Sequence, residues 1–215
     1  MRYLVFTALA LVLLVGASSA LPNQVTQTIV ATATGGDVDQ GAENYVYEAG
    51  GEGTIVTQTI DMTADATGYV YQDANNDADY VSGDGAVVTQ SLSMDASGED
   101  VFQNLWWGYG NYVDLYGVGT TATQNIWQVA DAENYAGQYA WNGAYQDSGM
   151  ITQGIGQAAV AGGDIDQYAY NDAYSYDDNS AVFQDVSMDA NAGGYADQDG
   201  YNYADMWSFD TIMVD

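Results

Sequence analysis

Residues 165–173 read Ile165-Asp166-Gln167-Tyr168-Ala169-Tyr170-Asn171-Asp172-Ala173. Two sets of side chains interleave in this stretch. Ile165, Gln167, Ala169, Asn171 and Ala173 fall on one face of an extended chain, while Asp166, Tyr168 and Tyr170 fall on the other. This period of two predicts a β-strand. A 3.6-residue period would scatter Gln, Ala and Asn around a helix axis, and the chain's 25 glycines disfavour helix further.

The same code recurs along the chain. Val38-Gln40-Ala42-Asn44-Val46, Val70-Gln72-Ala74-Asn76-Ala78 and Ala196-Gln198-Gly200-Asn202-Ala204 repeat the inward face, each beside an outer face of Asp and Tyr. A second alternating stretch precedes each, as in Gln58-Ile60-Met62-Ala64, Gln90-Leu92-Met94-Ala96 and Gln184-Val186-Met188-Ala190. Three columns emerge. The first is Gln27, Gln58, Gln90, Gln124, Gln153 and Gln184, at spacings of 31, 32, 34, 29 and 31. The second follows by 13 or 14 residues: Gln40, Gln72, Gln103, Gln138, Gln167 and Gln198. The third, four residues later, is Asn44, Asn76, Asn142, Asn171 and Asn202; copy three lacks an Asn at that spacing. Six copies begin near residues 24, 55, 87, 121, 150 and 181, with Gly-rich turns such as Gly162-Gly163 between strands and Gly50-Gly51-Glu52-Gly53 at a copy end.

One copy cannot bury its apolar face alone, but stacked copies can. The expected fold is therefore all-β: a β-solenoid of six two-stranded rungs, its like strands stacked into parallel sheets about 4.8 Å apart per rung. Buried amides are costly unless bonded. An amide both donates and accepts, so identical residues on successive rungs can bond as a ladder along the axis. The ladder also fixes register, because a slip of one residue would turn Gln outward and Asp or Tyr inward.

Composition removes most other functions. The chain of 215 residues has 30 acidic residues, one basic residue (Arg2), and neither His, Cys nor Lys. Thiolate chemistry, disulfides, His-based catalysis, the usual zinc sites and Schiff bases are all excluded. A net charge of -29 disfavours nucleic acid and anionic membrane surfaces. Paired carboxylates are inevitable at this density and uninformative, so no enzyme activity is expected.

The N-terminus reads as a secretory signal over residues 1–20. Arg2 precedes an almost wholly apolar run from Tyr3 to Gly16, and Ala17-Ser18-Ser19-Ala20 supplies small residues for cleavage. The run is shorter than the ~20 residues that span a bilayer. The expected product is a secreted, extracellular or surface-bound repeat domain, residues 21–215, with no basic side chain and no membrane span.

The Gln-x-Ala-x-Asn-x-Ala code of Gln167 to Ala173 resembles the repeats of curlin, the major subunit of bacterial curli amyloid fibres. The acidic, Tyr-rich copies also look like surface sheath or filament proteins of some archaea. The copies here are longer than curlin's, and their Gln and Asn lie four apart rather than five. The resemblance implies a secreted subunit that polymerises with itself outside the cell, with a nucleator or secretion partner. The absence of Pro and Lys gatekeepers from the repeats, and of a capping helix, points the same way.

Two further groups are candidates. Gly36-Asp37-Val38-Asp39 and Gly163-Asp164-Ile165-Asp166 are similar to fragments of calcium-binding solenoid turns, making Asp37, Asp39, Asp164 and Asp166 possible calcium ligands beside the alternative of a solvated acidic face. Trp106, Trp107 and Tyr109 form the densest aromatic patch, a lateral contact or a bulged turn. No cofactor is required. Stacked carboxylates about 5 Å apart repel by roughly 1 kcal/mol in water, which predicts raised carboxylate pKa values and assembly favoured by low pH, salt or divalent ions. The competing reading is a monomeric acidic adhesin that binds calcium or carbohydrate.

Overall fold

A computed structural model describes residues 4–11, 23–104, 110–177 and 180–206. The described residues form strands joined by turns, with no helix. In chain order the strands are β1 (Leu4–Leu11), β2 (Gln24–Gly35), β3 (Val38–Gly50), β4 (Ile55–Ala66), β5 (Tyr69–Ser82), β6 (Val87–Asn104), β7 (Asn111–Tyr116), β8 (Thr120–Gln146), β9 (Gly149–Ala161), β10 (Asp164–Ser175), β11 (Ala181–Ala192) and β12 (Ala196–Met206).

These strands wind into a β-solenoid of six rungs. Rung one is β2 and β3, rung two β4 and β5, and rung three β6 and β7. Rung four is β8 alone, bending between the sheets; rung five is β9 and β10, and rung six β11 and β12. All pairings are parallel, and the Gln columns are in register at every step: Gln27 lies beside Gln58, Gln58 beside Gln90, and so on to Gln153 beside Gln184. The second column is likewise continuous from Gln40 to Gln198. β1 lies outside the rungs and pairs in parallel with β3, placing Phe6 opposite Gln40 and Ala10 opposite Asn44.

The interior is thin and layered. Burial alternates residue by residue along the strands, as the period-two code requires. Three apolar zones separate the amide columns. One joins Val56, Val88 and Ile151 to Val46, Val81 and Val113. Another sets Ile60, Leu92 and Met94 against Ala42, Ala74 and Ala169, and a third is built largely of Ala with Val70 and Ile165. In the second zone large side chains on one sheet meet alanines on the other, keeping the sheets close enough for a Gln to reach across.

The corners stack as well. Gly51, Gly53, Gly83, Gly85, Gly117 and Gly119 all have positive φ. Successive corners bond to one another, Gly51 N to Ser82 O at 3.1 Å and Gly83 N to Tyr116 O at 2.8 Å. A Cβ on Gly83 would lie 2.1 Å from Gly51 O, so glycine is required there both for φ and for space.

Candidate functional site: the amide ladders and the rung ends

From rung two to rung six, each amide of the first column makes two kinds of bond. One hydrogen runs along the axis. Gln58 Nε2 donates to Gln27 Oε1 at 2.9 Å, Gln90 to Gln58 at 2.8 Å, and Gln124 to Gln90 at 2.8 Å. Gln153 and Gln184 continue the column at 2.8 Å each. The other hydrogen crosses to the opposite sheet. Gln27 reaches Tyr45 O, Gln58 reaches Asp77 O, Gln153 reaches Asp172 O and Gln184 reaches Tyr203 O. The ladder therefore ties rung to rung and sheet to sheet, which satisfies amides that are otherwise fully buried.

The second Gln column repeats this pattern, from Gln72 donating to Gln40 Oε1 at 2.9 Å to Gln198 donating to Gln167 Oε1 at 2.6 Å. The Asn column runs the opposite way. Asn44 Nδ2 donates to Asn76 Oδ1, Asn76 to Asn111, Asn111 to Asn142, Asn142 to Asn171 and Asn171 to Asn202, all at 2.8–2.9 Å. Both Gln columns donate towards rung one, and the Asn column donates towards rung six.

Copy three has no Asn four residues after Gln103, but Asn111, eight residues after it, fills the position and completes a six-member column. β6 ends at Asn104 and β7 begins at Asn111, which lies opposite Asn76 of the preceding rung. A fixed four-residue spacing could not detect that. A fourth, two-member column also went unread. Gln157 Nε2 donates to Gln128 Oε1 at 2.7 Å, with Met at the flanking positions, Met94 and Met188. Gln157 Oε1 is left without a partner.

The Asp candidates have structural roles. Asp37 Oδ1 accepts from Tyr69 N at 3.1 Å, and Asp164 Oδ1 accepts from Tyr195 N at 2.8 Å, each capping the turn of the next rung. A Cβ on Gly68 or Gly194 would collide with those same carboxylates. Asp166 Oδ2 accepts from Tyr135 Oη at 2.8 Å. Asp39 lies on the outer face of β3, opposite Tyr71. Among the described residues no group of three or more carboxylates is placed to hold an ion. Trp106, Trp107 and Tyr109 lie outside the described residues.

Several outer carboxylates are raised, but repulsion is not the leading cause. Burial pushes Asp77 up to about 7, with Asp79 and Glu43 adding smaller repulsions, and burial raises Asp172 to about 6. Asp73, Asp79 and Asp114 are raised first by burial too. The stacking order explains this, because many carboxylates sit beside a neutral residue on the next rung. Asp73 sits between Gly41 and Asn104, Asp77 between Tyr45 and Tyr112, and Asp172 between Gly143 and Tyr203.

Aromatic side chains also stack from rung to rung. The rings of Tyr139 and Tyr168 stack nearly parallel with centroids 5.3 Å apart, and those of Tyr145 and Tyr174 with centroids 4.7 Å apart. Trp141 meets Tyr170 edge to face. Between these columns runs an outer groove of about 630 Å³, lined by Tyr139, Trp141, Tyr168, Tyr170, Tyr201 and the carboxylates Asp172 and Asp199. Sequence reading found the Tyr alternation but not the groove, which needs three rungs in register.

No protein-family model, curated protein or solved structure matches this chain significantly.

Proposed function

We propose that the chain is a secreted structural protein that polymerises head to tail into amyloid-like extracellular filaments or a surface sheath. The observation that carries this reading is the state of rung six. Its ladder residues Gln198 and Asn202 are exposed, and β12 leaves its outer edge unpaired among the described residues. An open parallel edge backed by three amide columns is a template for another strand pair. Export by a cleaved leader, residues 1–20, belongs to this reading, as does a nucleator or secretion partner. The test is electron microscopy and fibre diffraction of the chain at pH 4 and pH 7, with and without calcium. Filaments with a meridional reflection near 4.8 Å are expected. Particles that stay single under all four conditions would sink the reading.

The groove beside Tyr139 and Tyr168 favours a second reading, a monomeric surface adhesin. Flat aromatic faces flanked by carboxylates suit the apolar faces and hydroxyls of a sugar ring. Glycan binding by single particles, lost in Tyr168→Ala, would support it. A calcium-dependent change in those particles that is lost in Asp37→Asn or Asp164→Asn would assign the ion to those turns.

A further inference from the structure

The two ends of the solenoid carry unmatched halves of the same hydrogen bonds. At rung one, Gln40 Nε2 and Asn44 Oδ1 have no partner although both residues are buried. At rung six, among the described residues, nothing donates to Gln198 Oε1 or to Gln184 Oε1. Asn202 Nδ2 makes one long contact, 3.5 Å to Gln184 O, and retains a second hydrogen. Rung one thus lacks an acceptor for Gln40 and a donor for Asn44. Rung six offers both, at the same four-residue spacing and on the same face.

The opposed direction of the columns makes this match directional. Had all three columns donated the same way, one end would carry only donors. Here each end carries both kinds in a fixed order. Two rung-one ends brought together would present four outward donors, Gln27 and Gln40 of each copy, to only two outward acceptors, the Asn44 pair. Only rung one against rung six pairs every group.

Rung one already accepts a parallel strand. β1 pairs with β3 along its whole length, but it sets Phe6 opposite Gln40 and Ala10 opposite Asn44. Phe and Ala are residue types without a polar side-chain atom. β1 fills the edge and leaves the column ends unmet. The strand β12 carries the residues that would meet them.

We propose, resting on the polymer reading above, that β11 and β12 of one copy dock in register on β2 and β3 of the next, taking the place of β1. In this contact Gln40 Nε2 donates to Gln198 Oε1, Gln27 Nε2 to Gln184 Oε1, and Asn202 Nδ2 to Asn44 Oδ1 of the adjoining copy. The same register sets Val186 on Ile29, Met188 on Ala31 and Ala204 on Val46, continuing the apolar zones of the interior. On β3 the register sets Asp197 over Asp39, an acidic pair of the kind that Asp166 and Asp197 already form within the stack; on β2 it sets none. β2 contains no carboxylate, so Asp185 and Asp189 of β11 come to lie over Thr28 and Thr32. The 13-residue offset of rung one against 14 in rung six is no obstacle, since rungs one and two already stack with that difference.

The test uses two near-isosteric variants in the chain from Leu21 onward, which keeps all six rungs. Gln40→Glu preserves the oxygen that accepts from Gln72 and replaces only the outward donor. Asn202→Asp preserves the oxygen that accepts from Asn171 and replaces only the outward donor at the other end. At neutral pH in salt, each variant alone is expected to remain a folded monomer while the unmodified chain elongates. An equimolar mixture is expected to give dimers and stop there, because one sound end of each variant matches the other and both remaining ends are spoiled. Added at one part in ten, Asn202→Asp is expected to shorten unmodified filaments at least severalfold by capping their rung-six ends. That arm stands even if Gln40→Glu fails to fold. Variants that elongate like the unmodified chain, or an Asn202→Asp that leaves filament length unchanged, overturn this contact while leaving polymerisation intact. An unmodified chain that never elongates overturns the polymer reading itself. The full chain, with β1 in place, is expected to elongate more slowly than the chain from Leu21; equal rates would show that β1 does not occupy the docking edge.

Discussion

Asn76 donates through Nδ2 to Asn111 Oδ1 at 2.9 Å, across 35 residues of sequence. The same Asn76 amide reaches Ser91 O at 3.0 Å on the opposite sheet. Asn111 thus closes the column at the point where the repeat is least regular, and the stack continues through it to Asn142.

Replacing Asn111 with Ala should therefore act on two neighbours at once. Asn142 Oδ1 loses a donor it cannot replace, and Asn76 loses its axial acceptor. Orphaned buried polar groups cost about 1–3 kcal/mol each, so a loss of roughly 2–5 kcal/mol in urea unfolding is expected. Asn191→Ala, on an exposed outer position, should stay within about 0.5 kcal/mol. Equal effects at the two sites would refute the column's role.

The short fourth column predicts strong non-additivity. Gln157→Met alone strands Gln128 Oε1 and should cost about 1–3 kcal/mol. Gln128→Met with Gln157→Met would instead extend the methionines already present at Met62, Met94 and Met188. Replacing both partners by apolar groups of similar shape is nearly neutral. The double variant should be more stable than the single one, as a double-mutant cycle of denaturant midpoints can measure.

Stability should rise as pH falls from 8 towards 5. Asp77 and Asp172 bind their protons more tightly in the folded chain than in the unfolded one, so the folded state gains protons on acidification. The penalty for ionising them is absent below the ordinary carboxylate range near 4, grows through the interval up to about 7, and is constant above it. The urea midpoint should be higher at pH 5 than at pH 8. Asp77→Asn should raise the pH 8 midpoint and narrow the difference. A midpoint that falls on acidification over this range would contradict the assignment.

The stacked corners can be probed with two glycines of the same turn. Gly85 has φ +69° and open space beyond it, so Gly85→Ala should cost only the left-handed backbone term of about 1–2 kcal/mol. Gly83 has φ +131° and lies against Gly51 O, so Gly83→Ala must push two rungs apart and should cost clearly more. Thermal midpoints of the two variants give the comparison.

Much of this protein follows from its sequence. Alternation of Gln, Ala and Asn against Asp and Tyr is a local property of an extended chain, and it dictated the strands and their inward faces. Recurrence of the same amides at similar spacing dictated parallel, in-register stacking, because only identical neighbours can satisfy a buried amide indefinitely. Other features depend on where distant segments meet. Asn111 was hidden because its place in the column is set by where β7 pairs with β5 and β8, not by a count of residues. Asp77 is pushed up and Asp172 sits in a groove because of what three adjacent rungs place around them, and Asp37 caps Tyr69 for the same reason. The opposite directions of the Gln and Asn columns are also invisible in the code. An amide has no preferred end until the opposite sheet's carbonyls take one of its hydrogens and leave the other to point along the axis.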